Sequence, residues 1–240
     1  MIIPALIISV IFALVGFTVT GKNARYLLSG YNMMSAEQRS GVDIDGYFHF
    51  FRRFHLLLAG SLFTLVMTAE WISPNLAGIM LGVYPLLGYC YFIIRSSAYF
   101  PDSKGQKISR FLGVGILIVT MAGVGYLFIL GYKDSSILLV GNKLEITGMY
   151  GEKIEKAKVI NAKLVNELPE ITMKSNGFAA GDFRKGYFKT KDRKTIKLFV
   201  NKKQNPLLLL NTTEGEIYFS ASGMTSKDLL LKIQKWKSSD

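Results

Sequence analysis

The sequence predicts an α-helical membrane region of about four spans followed by a β-rich domain, a seven-stranded barrel or sandwich capped by one C-terminal α-helix. Three observations carry this reading. Four long apolar runs fall within residues 1–132, and the last, Phe111 to Gly131, is 21 residues without a charge; about 20 helical residues cross a hydrocarbon core. After Lys133 the apolar residues alternate with polar ones, as in half-buried strands. Charge divides at the same place. Residues 1–132 hold nine Lys/Arg and five Asp/Glu, and residues 133–240 hold twenty and twelve, so the second part carries +8 of the chain's +12. The domains are therefore 1–132 and 133–240.

The expected spans are residues 1–21, 54–72, 76–94 and 111–131. Met1 to Gly21 is uncharged, with Pro4 in its first turn, where the missing N–H costs little. It lacks the positive start of a secretory signal and reads as a retained span. Lys22 to Arg53 is a polar loop interrupted by Tyr26-Leu27-Leu28, Tyr31-Asn32-Met33-Met34 and Tyr47-Phe48-His49-Phe50-Phe51. With the capping-box pattern Ser35-Ala36-Glu37-Gln38, it is expected to hold short amphipathic helices at the interface. Phe54 to Ile72 ends in Glu70 and Trp71, at headgroup level. Ser73-Pro74-Asn75 turns the chain into Leu76 to Ile94. There Gly78 and Gly82 form a GxxxG pair suited to packing on another helix of this chain or of a second copy, and Pro85 predicts a kink. Arg95 to Arg110 is a basic linker with a turn at Pro101-Asp102-Ser103.

Orientation follows from the loops. Lys22, Arg25, Arg39, Arg52 and Arg53 precede the second span, and Arg95, Lys104, Lys107 and Arg110 precede the fourth; the turn between the second and third spans has no charge. Positive short loops stay in the cytoplasm. Four crossings then place both termini, and the C-terminal domain, outside the cytoplasm of a multi-pass cell-membrane protein; one misread span reverses the answer to cytoplasmic.

In the second part, Ile137 to Val140 and Leu144 to Thr147 flank Gly141-Asn142, a hairpin signal. Val159 to Val165 alternates as a half-buried strand. Lys185 to Lys189 and Thr195 to Val200 flank the turn 190–194. Pro206 to Leu210 and Ile217 to Ser220 flank another. Thr225 opens a final helix whose Leu229, Leu230, Ile233 and Trp236 share a face.

Chemistry is sparse. Cys90 is the single cysteine, which excludes an internal disulfide and a thiolate metal cluster. His49 and His55 are six apart with no HExxH pattern, so no metal site is expected. The second part has no histidine, which excludes a Ser-His-Asp arrangement there. Gly113/Gly115 and Gly123/Gly125 imitate half of a dinucleotide fingerprint but sit inside a span. No catalytic residue and no cofactor is expected; an enzyme would need Glu70 or the carboxylates of the second part to converge on a pocket. A basic stretch remains: Arg184, Lys185, Lys189, Lys191, Arg193, Lys194, Lys197, Lys202 and Lys203. It is a candidate surface for a protein partner or lipid headgroups, or else an edge hairpin guarded against aggregation. Without an RNP-like aromatic motif it is not a nucleic-acid surface. A second candidate is the loop from Ser175 to Gly186, with Asn176, Gly177, Gly181, Asp182 and Gly186. The function that fits is a membrane-anchored, non-catalytic binding module for a protein partner or the membrane surface. The alternative is an accessory subunit of a transporter or envelope complex.

Two resemblances add to this. Leu144-Glu145-Ile146-Thr147-Gly148-Met149-Tyr150-Gly151, Leu168-Pro169, Ser175-Asn176-Gly177-Phe178-Ala179-Ala180-Gly181 and Gly186-Tyr187-Phe188, with the final helix and its Trp236, resemble bacterial pleckstrin-homology-like (PH-like) domains tethered behind membrane helices. This covers about residues 136–238 and implies a PH-like fold. The phosphoinositide pattern of eukaryotic PH domains is not matched, because the first turn offers only Lys143. Leu28-Ser29-Gly30-Tyr31-Asn32, Met34-Ser35 and Glu37 resemble a small bacterial membrane-helix family of unknown function.

Overall fold

A computed structural model describes residues 1–20, 23, 31, 34–101 and 104–239. The expected features at Lys22, Arg25 to Gly30, Asn32-Met33 and Asp102-Ser103 lie outside the described residues. The chain forms two compact units, residues 1–126 and 127–240.

The first unit is helical: α1 Ile2–Val15, α2 Ala36–Ser40, α3 Ile44–Ile72, α4 Pro74–Ser96 with a 3-10 turn at Ser97–Tyr99, and the greater part of α5 Lys104–Tyr132. Among the described residues three segments, Ile44–Ile72, Pro74–Tyr99 and Lys104–Tyr132, are long and apolar enough to cross a membrane. The expected first span, residues 1–21, is shorter than predicted. α1 has 14 residues, reaching about 21 Å at 1.5 Å per residue, less than a hydrocarbon core. Beyond it Thr18 donates to the Val15 carbonyl at 2.7 Å and Asn23 Nδ2 to the Thr18 carbonyl at 2.6 Å. Such local side-chain bonds compete with helix continuation.

α3 starts ten residues before the expected Phe54. Asp43 caps it by accepting the Gly46 N–H at 2.9 Å, and buried Tyr47 and Phe51 join an aromatic cluster with Phe92, Tyr99 and Phe100. The aromatic run expected in an interfacial loop is thus the first turns of a long helix. Among the described residues of this loop, the short helix that forms is five-residue α2, with the Ser35/Gln38 capping box in place. α1 lies antiparallel along α3. Met1 Nα is 3.1 Å from Glu70 Oε1 at one end, Ala5 packs with Leu62, Val66 and Ala69, and at the other end a Cβ on Gly16 would lie 3.2 Å from His55 Cβ. Pro74 at the first turn of α4 and the Ser73 hydroxyl, accepting from Asn75 N–H at 3.3 Å, set the tight reversal into α4. Pro85 sits inside α4 without ending it, and Gly78 of the GxxxG pair is buried within this unit. The most apolar stretch of α5 has none of its residues buried.

The second unit begins with the end of α5 and, among the described residues, contains nine strands, a 3-10 turn at Lys156–Lys158 and one further α-helix, where seven strands were expected. Strands β1 Ile137–Val140, β2 Lys143–Ile146 and β3 Glu152–Glu155 form an antiparallel sheet. β4 Val159–Val165, β5 Ile171–Ala180, β6 Phe183–Thr190, β7 Thr195–Asn201, β8 Leu207–Thr212 and β9 Gly215–Phe219 form a second sheet ordered β4-β8-β9-β7-β6-β5. The Gly141-Asn142, 190–194 and Thr213-Glu214 turns fall where expected. β8 enters two places from β7, and β9 returns into the gap, parallel to β7 with Lys197 opposite Ile217. A seven-stranded barrel is therefore replaced by two sheets that do not close.

The large sheet is nevertheless curled. β4 and β5 lie on opposite edges and run the same way, joined only by residues 166–170. Such a link reaches at most about 21 Å, whereas six flat strands would measure about 24 Å across before any rise along the strands. The link crosses one face, where Leu168, Val165 and Ile171 pack on Phe188, Ile196, Leu198 and Tyr218. The other face meets the small sheet and α6 Ser226–Ser238. There Leu144, Ile146 and Ile154 pack with Phe199, Leu208, Phe219, Leu229 and Ile233. Thr225 accepts the Asp228 N–H at 3.1 Å to start α6, and Trp236 Nε1 donates to the Gly141 carbonyl at 2.7 Å near its end. The expected face of Leu229, Leu230, Ile233 and Trp236 is the packed one.

Candidate functional site

Because β7 is covered on both faces and β6 on one, alternation along these strands does not produce a continuous cationic surface. Lys185 and Lys197, expected on it, are 1% and 7% exposed. Lys185 reaches back to donate to the Lys133 carbonyl and lies 5.6 Å from the Phe183 ring. Burial pulls its pKa down, opposed by Asp134. Arg184 is half-buried and donates to the Phe183 and Gly181 carbonyls at 2.8 and 3.1 Å. The other cations are exposed but occupy opposite ends of the strands. Lys202 and Lys203 follow β7 beside Asp182, with Lys203 Nζ 3.1 Å from Asp182 Oδ2. Lys191, Arg193 and Lys194 form the β6–β7 turn, where Lys191 pairs with Glu170 at 2.9 Å and Lys194 with Asp192 at 3.5 Å. Lys189 is exposed near the same end of β6.

The expected loop from Ser175 to Gly186 is two strands and a two-residue turn, Gly181-Asp182. Asn176-Gly177 is not a turn; Gly177 pairs with Gly186 across β5 and β6. A Cβ on Gly177 would lie 2.4 Å from the Lys185 carbonyl oxygen, and Gly186 has φ +101°. These glycines serve a close strand approach at a bulge. Asn176 accepts a 3.3 Å bond from the Tyr150 hydroxyl. The tether joins at the Gly181 end: Tyr132 lies 5.4 Å from Phe178 and 5.6 Å from Phe183, ring to ring.

At the opposite end a polar cleft of about 140 Å³ opens between β3 and the starts of β7 and β9. Its charges are matched. Lys197 Nζ lies 2.8 Å from Glu152 Oε2, and 4.9 Å from the Tyr187 ring centre. Lys158 Nζ lies 2.6 Å from Glu214 Oε1; this bond raises the Lys158 pKa and lowers that of Glu214. Glu216 accepts from the Tyr218 hydroxyl at 3.0 Å, and burial, reinforced by that carboxylate, pushes the phenol up to about 12. Glu152, Lys158 and Glu214 escaped the sequence reading. The available signal was the alternation Glu152-Lys153-Ile154-Glu155, four residues long, which places Ile154 inward and its neighbours outward. No group of three His, Cys, Asp or Glu suited to a metal ion occurs among the described residues.

Residues 6–99 match the family model of a domain of unknown function, DUF3784. The match covers α1 to α4, the part resembling a membrane-helix family of unknown function, and leaves α5 and the β-rich unit outside. No curated protein and no solved structure matches the chain.

Proposed function

We propose that the protein is a membrane-anchored, non-catalytic binding module whose β-rich unit engages a protein partner at the end remote from its tether. The observation that carries this is the placement within that unit. Phe178, Phe183 and Asp182 adjoin the end of α5, whereas the cleft and the 191–194 turn lie at the far ends of β6 and β7. β7 alone separates them by about 20 Å at 3.3 Å per residue. The tether-side cations Arg184, Lys202 and Lys203 are the ones suited to the membrane surface. The far turn and the cleft suit a polypeptide with charged side chains. Carboxylates engaged by lysines or a tyrosine hydroxyl fit recognition better than acid–base work. A PH-like fold for this unit is part of the proposal, and the final helix with Trp236 packed on the strands supports it.

The same reading places this unit outside the cytoplasm. If α1 does not cross, only the expected side of the N-terminus changes: the positive loops still put the start of α5 inside, since Lys104, Lys107 and Arg110 precede its apolar stretch and Lys133 follows it. A misreading of α3, α4 or α5, not of α1, is what would reverse the assignment. The accessory-subunit alternative draws on the uncovered α5, whose partner would be another membrane helix.

Photo-crosslinking side chains placed at Arg193 and Lys203 in the full-length protein in cells test the binding reading. The expected result is a protein adduct from Arg193 that is lost when Glu152 and Lys197 are both neutralised. Adducts confined to Lys203, or to lipid, overturn it.

A further inference from the structure

A groove runs between α3 and α4 at their basic end. His49, Phe50, Arg53, Tyr91, Arg95 and Tyr99 line about 540 Å³ of it. A second stretch of about 350 Å³ continues from it along the same helix pair, sharing Phe54, Leu57 and Tyr91 and ending at Leu58, Leu87 and Gly88. The composition changes along its length. One end is cationic and aromatic, the other aliphatic. Arg53 and Arg95 are exposed and form no ion pair with a described carboxylate. Asp45, one turn before His49, offers that ring its backbone carbonyl, 2.8 Å from Nδ1. The walls are stiff: Phe50 stacks on Phe92 and on Tyr99, each at 5.5 Å. At the inner end Tyr84 donates to Ser61 at 2.7 Å, so those hydroxyls are already engaged. The lack of a side chain at Gly88 keeps the floor low, since a Cβ there would stand 2.9 Å from Leu58 Cδ1.

We propose that this groove seats an anionic phospholipid, with its phosphate between Arg53 and Arg95 and the start of one acyl chain along Leu57 and Tyr91 into the aliphatic end. Guanidinium forks match phosphate oxygens in pairs. Both arginines stand just where the apolar stretches 54–72 and 76–94 begin and end, which is headgroup depth for helices that cross. The proposal depends on α3 and α4 crossing the bilayer and not on the partner of the β-rich unit.

The test is native mass spectrometry of the detergent-purified full-length protein titrated with phosphatidylglycerol, phosphatidylcholine or glycerol 3-phosphate. Phosphatidylglycerol is expected to bind, with Arg53→Gln and Arg95→Gln each weakening it roughly fivefold, about 1 kcal/mol per cation. Leu57→Trp, which fills the groove and leaves every charge in place, is expected to weaken it too. Arg110→Gln removes a cation that bonds Ser97 at 2.9 Å instead of lining the groove, and should leave binding unchanged. Equal loss with Arg110→Gln, no loss with Leu57→Trp, or equal retention of phosphatidylcholine would reduce the effect to bulk charge or greasy contact and overturn the proposal. Binding of glycerol 3-phosphate as tight as the lipid would assign the site to a free phosphate and overturn it as a lipid seat.

Discussion

Lys197 shows what a single residue in the wrong class reveals. Its neighbours Ile196 and Leu198 face one core and Phe199 the other, so the strand has no solvent face along most of its length. A lysine there is held by Glu152 and by the faces of Tyr187 and Phe199. Removing one partner strands the other, whereas removing both is much less costly. Lys197→Met is therefore expected to lower the stability of the β-rich unit by about 1–3 kcal/mol, and the double variant Lys197→Met/Glu152→Gln to recover most of it. Chemical unfolding followed by Trp236 fluorescence in a Trp71→Phe background measures the cycle. If the single and double variants lose the same stability, the pair carries no coupling. The sequence showed the cations but not their burial, because period-two alternation identifies two faces without saying whether either meets water.

Among the elements, those built on local chemistry were legible and those built on distant contacts were not. The Gly141-Asn142 hairpin, the Ser35 capping box and the Thr225 helix start each depend on residues within three or four positions, and each forms where the residues predict. β5 was hidden because Asn176-Gly177 has the composition of a turn, while the real constraint is the backbone of β6 pressed against it. The end of α5 is a similar case. Its Gly131 looks like one more packing glycine of a span, yet a Cβ there would lie 2.4 Å from Phe178 Cζ, inside its own unit. Gly131→Ala is expected to destabilise the β-rich unit by about 1–3 kcal/mol through overpacking. Combining it with Phe178→Leu should restore most of the loss in the same unfolding measurement; an unchanged midpoint for Gly131→Ala would show the joint to be loose.

For the whole molecule, the division into an apolar helical part and a β-rich part was legible because composition and charge change together at one point. The number of crossings was not, since hydropathy extends past Val15 while the helix does not. The side of the β-rich unit depends on α3, α4 and α5. A reporter enzyme active only outside the cytoplasm, fused after the last residue, is expected to be active, and to lose activity when Lys104, Lys107 and Arg110 are made neutral and three lysines are added after Lys133. Activity of a cytoplasm-only reporter at the same place would reverse the assignment.

The tether and the cleft at opposite ends of β6 and β7 have a mechanical consequence. If a partner proposed at the cleft pulled on Lys197 while Tyr132, packed on Phe183, was held, the load carried by β6 and β7 would run along the strands. Their ladder bonds, from Phe183 opposite Asn201 to Lys189 opposite Thr195, then resist in shear, all at once. A load applied at one end of the hairpin would instead open them one by one, so the attachment point favours a domain that holds under tension.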